Sequence, residues 1–523
     1  MFRRAGRVSG LVLLLAAPVV AQVEAVGLSS VRAQLFDGEL GPALPARDRD
    51  HFAFAFAAGD FDGNGVDDLA TGIPHHDGPT NNVVPDSGAV LVRYGVAGAG
   101  PSALNTILRQ LGDGFEEGDV FGYALAACDF DGDGFDDLAV GAPGEDITGI
   151  EDPGAVFVFR GSNAGIVVGS LGVLTQDTPG IPDQVEAQDM FGYSLACADF
   201  DADGFDDLVV GSPGESIGTL LVVGAVFGIS GSASGLDPAT SFSFNHGPGI
   251  DAFFQLGISV ATGDWNGDGF ADLAAGEPGE DNGRGGIQVR FGSSTGIDLT
   301  SGIHRTETAI GGLSEVGDFF GYTLAAGDFD GDGRDDLAVG IPGEDFGAGG
   351  SVEDCGQVNV LYGADAGFDF GRTQFWAQDE ILGAGTSEAL DQFGLSLAGG
   401  DFDRDGRDDL AIGAPEEFVT GEADGAVTVL MGDANGLDAS RHRGFAAGFH
   451  GLPGDPGQHD RLFSRALAAG DFDADGHDDL AIGAPSEDVG LVADAGAETI
   501  LYGSLFADGF ETAAANLWSV ASP

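Results

Sequence analysis

The stretch DFDGDGFDDLAVGAP, residues 129–143, decides the fold. Five of its first nine residues are aspartates, and an apolar run follows at once. Near-identical stretches begin at Asp60, Asp199, Asp264, Asp328, Asp401 and Asp471, at spacings of 64 to 73 residues. Self-similarity at one period means one supersecondary unit repeated, because a single unit cannot bury both of its faces.

Each unit has three landmarks. Eight residues before the first Asp stands Phe52, Phe121, Phe191, Leu256, Phe320, Phe393 or Phe463, usually followed by Gly. Twelve residues after the Asp comes the Gly of a Gly-x-Pro, at Gly72, Gly141, Gly211, Gly276, Gly340, Gly413 and Gly483. A Gly then opens an alternating apolar run, as in GAVFVFRG from Gly154. The runs FGYALAAC, LAVGA and AVFVF read as β-strands joined by tight turns, and weaker runs such as NTILRQL and RTQFWAQ supply a fourth strand. Four antiparallel strands per unit, seven times over, predict an all-β seven-bladed β-propeller whose blades stack radially. After TILYGS in unit seven no further repeat strand follows, whereas SVRAQLFDGELG from Ser30 resembles TILRQLGDGFEEG from Thr106. Residues 31–36 are therefore expected to complete blade seven and close the ring, removing an exposed edge.

The unit F-G-x-x-L-A-x-x-D-F-D-G-D-G-x-D-D-L-A-V-G-A-P resembles the FG-GAP repeat of integrin α-subunit propellers, over roughly residues 30–504. The resemblance implies a calcium-stabilised propeller that uses the face opposite its calcium loops for ligands. Departures are local: Phe52-Ala53 and Phe463-Ser464 replace Phe-Gly, and unit four has Leu256-Gly257 and Trp265.

With Asp129 as position one, alternate residues of a tight loop can turn their oxygens to one point. Side-chain donors at positions one, three, five and nine would be Asp60, Asp62, Asn64 and Asp68 in unit one, then Asp129, Asp131, Asp133 and Asp137, then Asp199, Asp201, Asp203 and Asp207. They continue as Asp264, Asn266, Asp268 and Asp272, as Asp328, Asp330, Asp332 and Asp336, as Asp401, Asp403, Asp405 and Asp409, and as Asp471, Asp473, Asp475 and Asp479. Position seven would contribute a backbone carbonyl, which leaves its side chain free to vary: Val66, Phe135, Phe205, Phe270, Arg334, Arg407, His477. Position six is Gly in every copy, as a sharp turn requires.

Oxygen-only coordination suits Ca²⁺ over Mg²⁺ or Zn²⁺, so up to seven structural Ca²⁺ ions are expected. An EF-hand would need Glu at position twelve and flanking helices, and a dockerin-type module would continue into a helix. Metal-free solvated turns are the bland alternative. Catalytic carboxylates are disfavoured, because seven equivalent loops offer no asymmetry to separate an acid from a base. Loops one and four carry Asn64 and Asn266, one carboxylate fewer, and should bind more weakly.

The 523-residue chain has 85 acidic and 20 basic residues, a formal net charge of −65. Such a charge disfavours nucleic acid and anionic lipid as partners. Seven Ca²⁺ ions would leave about −51. Arg3, Arg4 and Arg7 precede the apolar run Leu11 to Val20 and the small-residue site Val19-Val20-Ala21, which reads as a signal peptide over 1–21. The propeller is then 22–504. The tail 505–523, with Asp-Gly-Phe-Glu and Trp, resembles endings of exported proteins of some Gram-negative bacteria, and is read as a sorting segment or a cap. Cys128, Cys197 and Cys355 are too few for a disulfide framework and read as buried free thiols, the first two on opposite strand faces.

The functional expectation is a secreted or cell-surface monomer, without a transmembrane segment, that binds an extracellular protein or glycan through variable loops after Gly-x-Pro. Alternatives are a surface or matrix component without a specific ligand, or a propeller-based hydrolase or lyase. No catalytic constellation is found: Gly292-Ser293-Ser294-Thr295-Gly296 fits a serine-hydrolase pattern but falls in a repeat turn, and His75-His76-Asp77 is a weak metal signal beside the reading as a surface loop. The loops that begin acidic, at Glu145-Asp146, Glu280-Asp281, Glu344-Asp345, Glu416-Glu417 and Glu487-Asp488, read either as favoured turns or as a cation-binding face.

Overall fold

The computed structural model describes residues 33–37, 47–77, 84–102, 105–110, 116–169, 171–216, 222–246, 253–346, 352–383, 386–418, 425–446, 462–489 and 492–503. The leader 1–21 and the tail 505–523 lie outside the described residues. Seven four-stranded antiparallel sheets carry the fold, and the helices among the described residues are three single turns. Blade two is typical: Ala124–Cys128 innermost, then Asp137–Ala142, Ala155–Phe159 and Leu171–Leu174 outermost. The innermost strands of successive blades contact one another in a closed ring.

Ring closure is as expected. Ala33–Asp37 pairs antiparallel with Ala497–Leu501 as the fourth strand of blade seven, with Ala33 opposite Leu501. Residues 31 and 32 lie outside the described set. Phe52 of blade one bridges to Gly496 of blade seven, as Phe121 bridges to Gly88 one blade earlier.

The second strands, such as Asp137–Ala142 and Asp207–Ser212, are buried along their whole length. Each is sandwiched between neighbouring blades, which is why they read as continuous apolar runs rather than as alternation. Between the blades sit the large side chains, with Phe61, Phe121, Phe157 and Phe159 in one cluster and Phe130, Phe191 and Phe227 in the next. Removing one such buried ring costs about 3–5 kcal/mol. The Gly of Gly-x-Pro exists because the next blade comes so close: a Cβ on Gly141 would lie 2.0 Å from the Gly192 carbonyl oxygen, and one on Gly483 would lie 2.2 Å from that of Ala53. Around the axis, Phe54, Tyr123, Tyr193, Tyr322 and Arg465 line a cavity of about 280 Å³.

The cysteine expectation is corrected. Cys128 and Cys197 form a disulfide, with Cα atoms 6.4 Å apart, between the innermost strands of blades two and three. The residue just before each aspartate loop faces the residue two before the loop in the next blade: a Cβ on Gly59 would meet that of Ala127, and one on Gly400 that of Ala469. Adjacent blades meet through opposite faces, so cysteines on opposite strand faces are the pair that can bond. Cys355 is free and buried, as expected.

Two outcomes are expected. Deleting residues 22–40 should lower the calorimetric melting temperature sharply, because blade seven loses its outer strand; an unchanged profile would contradict the closure. Replacing Cys128 and Cys197 by Ser should keep the fold but cost up to about 4 kcal/mol for a crosslink spanning 69 residues, read from denaturant midpoints.

Candidate metal centres and the opposite face

All seven aspartate loops join first and second strands and so share one face of the ring. In each, the position-one carboxylate accepts two backbone N–H groups. Asp129 Oδ1 takes that of Asp133 at 3.1 Å, and Oδ2 takes that of Gly134 at 2.8 Å. The same pair recurs at Asp60, Asp199, Asp264, Asp328, Asp401 and Asp471. In five of the loops position five accepts the position-seven N–H, as Asp203 does from Phe205 at 3.1 Å. Position-six glycines carry φ from +79° to +90°, as the turn requires.

Position nine opens the second strand and lies deeper. Asp68 accepts from Phe61 N–H and from Gly95 N–H, which ties the loop to the turn after the third strand; all seven position-nine residues make the second bond. Burial first, with neighbouring carboxylates adding, pushes Asp137, Asp207 and Asp272 up to about 7 and Asp68, Asp336, Asp409 and Asp479 up to about 8. Donor oxygens of Asp60, Asp62 and Asp68, of Asp129, Asp131 and Asp133, and of Asp199, Asp201 and Asp203 lie within 4.8 Å of one another. Asp131 Oδ1, Asp403 Oδ1 and Asp409 Oδ2 are buried without a hydrogen-bond partner. Crowded, partly unpaired carboxylates are a donor set that a hard divalent cation fits.

The second Asp of each Asp-Asp doublet, position eight, does something the sequence reading missed. Its carboxylate accepts the position-one N–H of the preceding blade, as Asp136 does from Asp60 at 2.8 Å and Asp67 does from Asp471 at 2.9 Å. Its own N–H returns a bond to that residue's carbonyl, Asp136 to Asp60 O at 3.2 Å. Six junctions carry this reciprocal pair, through Asp67, Asp136, Asp206, Asp335, Asp408 and Asp478. Blade four has Ala271 there, which cannot accept the Asp199 N–H. The visible signal was the doublet itself, broken only at "FADL".

The opposite face holds the loops after Gly-x-Pro. The acidic starts are buried pairs rather than solvated turns in blades two, three, five and six. Glu145 takes a hydrogen bond from Gln110, Glu215 from Gln176 and Glu417 from Gln378. Burial and the facing Asp119, Asp189 and Asp318 push Glu145 and Glu215 up to about 8 and Glu344 to about 9, while Glu417 rises beside Asp391. Asp119 itself rises to about 7, and Asp189 and Asp318 to about 6.

The His75-His76-Asp77 triplet does not converge. His75 pairs with Asp86, buried His76 with Asp50, and Asp77 with Arg47. Ser293 Oγ donates to the Gly296 carbonyl at 2.8 Å, as Ser162 does to Gly165 at 2.7 Å, which is a repeat turn. Large apolar side chains stand out on this face over blades four to six: Leu313 is 80% exposed, Val316 63%, Phe253 60% and Leu390 53%, with Phe319 near Val316 and Phe418 on the blade-six loop after Gly-x-Pro.

The family model described as FG-GAP repeat matches residues 52–92, 121–159, 191–227, 256–289, 320–353, 393–430 and 463–500. Integrin alpha-PS2 of Drosophila melanogaster is 32% identical over 273 residues, 50% of this chain and 18% of its own. Phosphatidylinositol-glycan-specific phospholipase D of Homo sapiens is 28% identical over 387 residues, 70% of this chain and 43% of its own. The chain thus spans less than half the length of these curated relatives. Among solved structures, a Bacillus licheniformis rhamnogalacturonan lyase aligns over 87% of this chain and 91% of its own at 12% identity, with a TM-score of 0.33.

Two measurements follow from this geometry. Ala271→Asp should restore the missing acceptor and stabilise by about 1 kcal/mol, whereas Asp408→Ala should destabilise by a similar or larger amount, read from denaturant midpoints. The buried Glu–Asp pairs bind protons more tightly folded than unfolded, so the folded chain holds extra protons between about pH 4.5 and pH 8. At saturating calcium, the melting temperature should therefore fall as pH rises through that window; a rise would contradict the burial of these pairs.

Proposed function

The chain belongs to the FG-GAP repeat family, and from that premise we propose that it is an exported, calcium-clamped binding module. Its ligand, an extracellular protein or glycan, docks on the face opposite the aspartate loops. The observation that carries this reading is the contrast between the faces. One repeats the same aspartate loop seven times, while the other differs from blade to blade and exposes Leu313, Val316, Phe253 and Leu390. Exposed apolar side chains on the variable loops of a rigid scaffold are a usual mark of a recognition surface.

Calcium is the structural ion of this proposal. The side chains at positions one, three, five and nine and the position-seven carbonyl would hold it, and its charge would offset the repulsion that burial imposes on the position-nine carboxyls. Affinities of about 10⁻⁴–10⁻³ M are expected for an extracellular module of this kind. Loops one and four, with Asn64 and Asn266, would fill last. Among the described residues no helix is long and apolar enough to cross a membrane. A relation to a phospholipase keeps an enzymatic reading in view. The non-enzymatic one is preferred because the hydrolase-like pentapeptide of blade four, Gly292 to Gly296, is a repeat turn closed by the Ser293 hydroxyl on the Gly296 carbonyl.

Calorimetric melting with and without EDTA tests the ion; an unchanged profile sinks the calcium reading. Protein and glycan arrays probed with the wild type and with the Leu313→Asp, Val316→Asp variant test the face. Capture should be lost in the variant while melting in calcium is unchanged, and equal capture by both would refute it.

A further inference from the structure

Blade four departs from the repeat on the ligand-facing side as well. The middle residue of Gly-x-Pro is Ile73, Ala142, Ser212, Ile341, Ala414 or Ala484 elsewhere, but Glu277 here. Its carboxylate is completely buried. A lone buried carboxylate is costly, so it needs partners. His246, just past the outer strand of blade three, places Nδ1 2.8 Å from Glu277 Oε2. His304, in the outer strand of blade four, places Nε2 2.8 Å from Glu277 Oε1 and 2.9 Å from Glu280 Oε2. We propose that His246, Glu277, His304 and Glu280 form a binding site for one transition-metal ion of the zinc class.

Three observations carry it. First, donor atoms of His246, Glu277 and His304 lie within 4.8 Å of one another, a mixed nitrogen and oxygen set that suits zinc and sets this site apart from the oxygen-only loops. Bonds of about 2.0–2.1 Å in a tetrahedron separate ligand atoms by roughly 3.3 Å, so the His–carboxylate spacings of 2.8 and 2.9 Å need to open by about half an ångström. Second, the hydrogen bonds that join the cluster are over-subscribed at His304. Glu277 Oε1 is buried and makes no well-formed hydrogen bond despite its nearness to His304, whose single Nε2 faces two carboxylates at once. An ion resolves that conflict, since each atom can direct a lone pair at it. Third, supporting contacts are in place. Gln288 donates to Glu277 Oε2 at 3.2 Å, Arg290 holds Gln288 at 2.8 Å, and the His246 ring packs on Phe254 with centroids 4.6 Å apart. His304 is 41% exposed, which leaves an entry path.

The site has a structural consequence. His246 belongs to blade three and the other three ligands to blade four, so a bound ion staples the junction where Ala271 omits the aspartate clamp.

The test uses the full chain, stripped with EDTA and returned to saturating Ca²⁺ so that the aspartate loops are satisfied, and titrated with Co²⁺ followed by Zn²⁺. One equivalent of Co²⁺ should give the intense visible absorption of a tetrahedral site, displaced by Zn²⁺. His246→Gln with His304→Gln should weaken binding by about 100-fold or more. The single change Glu280→Gln should weaken it with little risk to folding, and His51→Gln with His75→Gln should leave it unchanged. Absence of the absorption in the wild type, its persistence in the His246/His304 variant, or its loss with His51/His75 overturns the proposal. Melting of the EDTA-stripped chain before and after Ca²⁺ alone is returned reads the aspartate loops separately, so failure of either site does not decide the other.

Discussion

The ring rests on one backbone residue serving two masters. The position-one aspartate uses its side chain to wind its own loop, while its N–H and C=O are held by the position-eight aspartate of the next blade. Loop order and blade docking are therefore not separable. Whatever stiffens the loop also presents a correctly oriented peptide group to the neighbour, and whatever loosens it weakens a junction between sheets. Charge-assisted bonds of this sort are stronger than neutral ones, and here they lie where small inner-strand residues contribute little apolar burial.

Blade four is where the pattern relaxes. Ala271 replaces the clamping aspartate, Asn266 replaces a loop carboxylate, Trp265 fills the place of a phenylalanine, and Glu277 intrudes into the Gly-x-Pro turn. Ala271 and Glu277 fall at the junction of blades three and four, whereas Trp265 packs against Phe368 of blade five and Asn266 stays within its own loop. The junction of blades three and four thus gives up one fastening on the aspartate face and holds a buried polar cluster on the other.

Much of this was legible in the amino-acid order. Periodic landmarks specify the blades because each strand must pack against two neighbours, and the fourth strand missing from unit seven pointed to its supply from the N-terminal side, as the pairing of Ala33 with Leu501 bears out. The gathering of carboxylates was readable from their fixed spacing within a tight loop, and it is seen for positions one, three and nine in loop one and for one, three and five in loops two and three. What escaped involves contacts between blades. The Asp136 carboxylate bonds a residue 76 positions away, and Cys128 meets Cys197 only because adjacent sheets touch through opposite faces. His246, Glu277 and His304 come from three separate segments with no local pattern to link them. The buried Glu145 and Glu417 looked like turn residues because the glutamines that satisfy them, Gln110 and Gln378, stand just past the outer strand of the preceding blade.

The closing strand also sets how the molecule answers a pull. Ala33, where the chain enters that strand, lies opposite Leu501, where it leaves the partner strand. Tension applied through the two flanking segments acts at the same end of the ladder and parts its bonds one after another, a peeling geometry that yields at low force. Tension carried between the two broad faces instead crosses all seven sheets together. A tether drawn from both flanks would therefore open the ring at blade seven first.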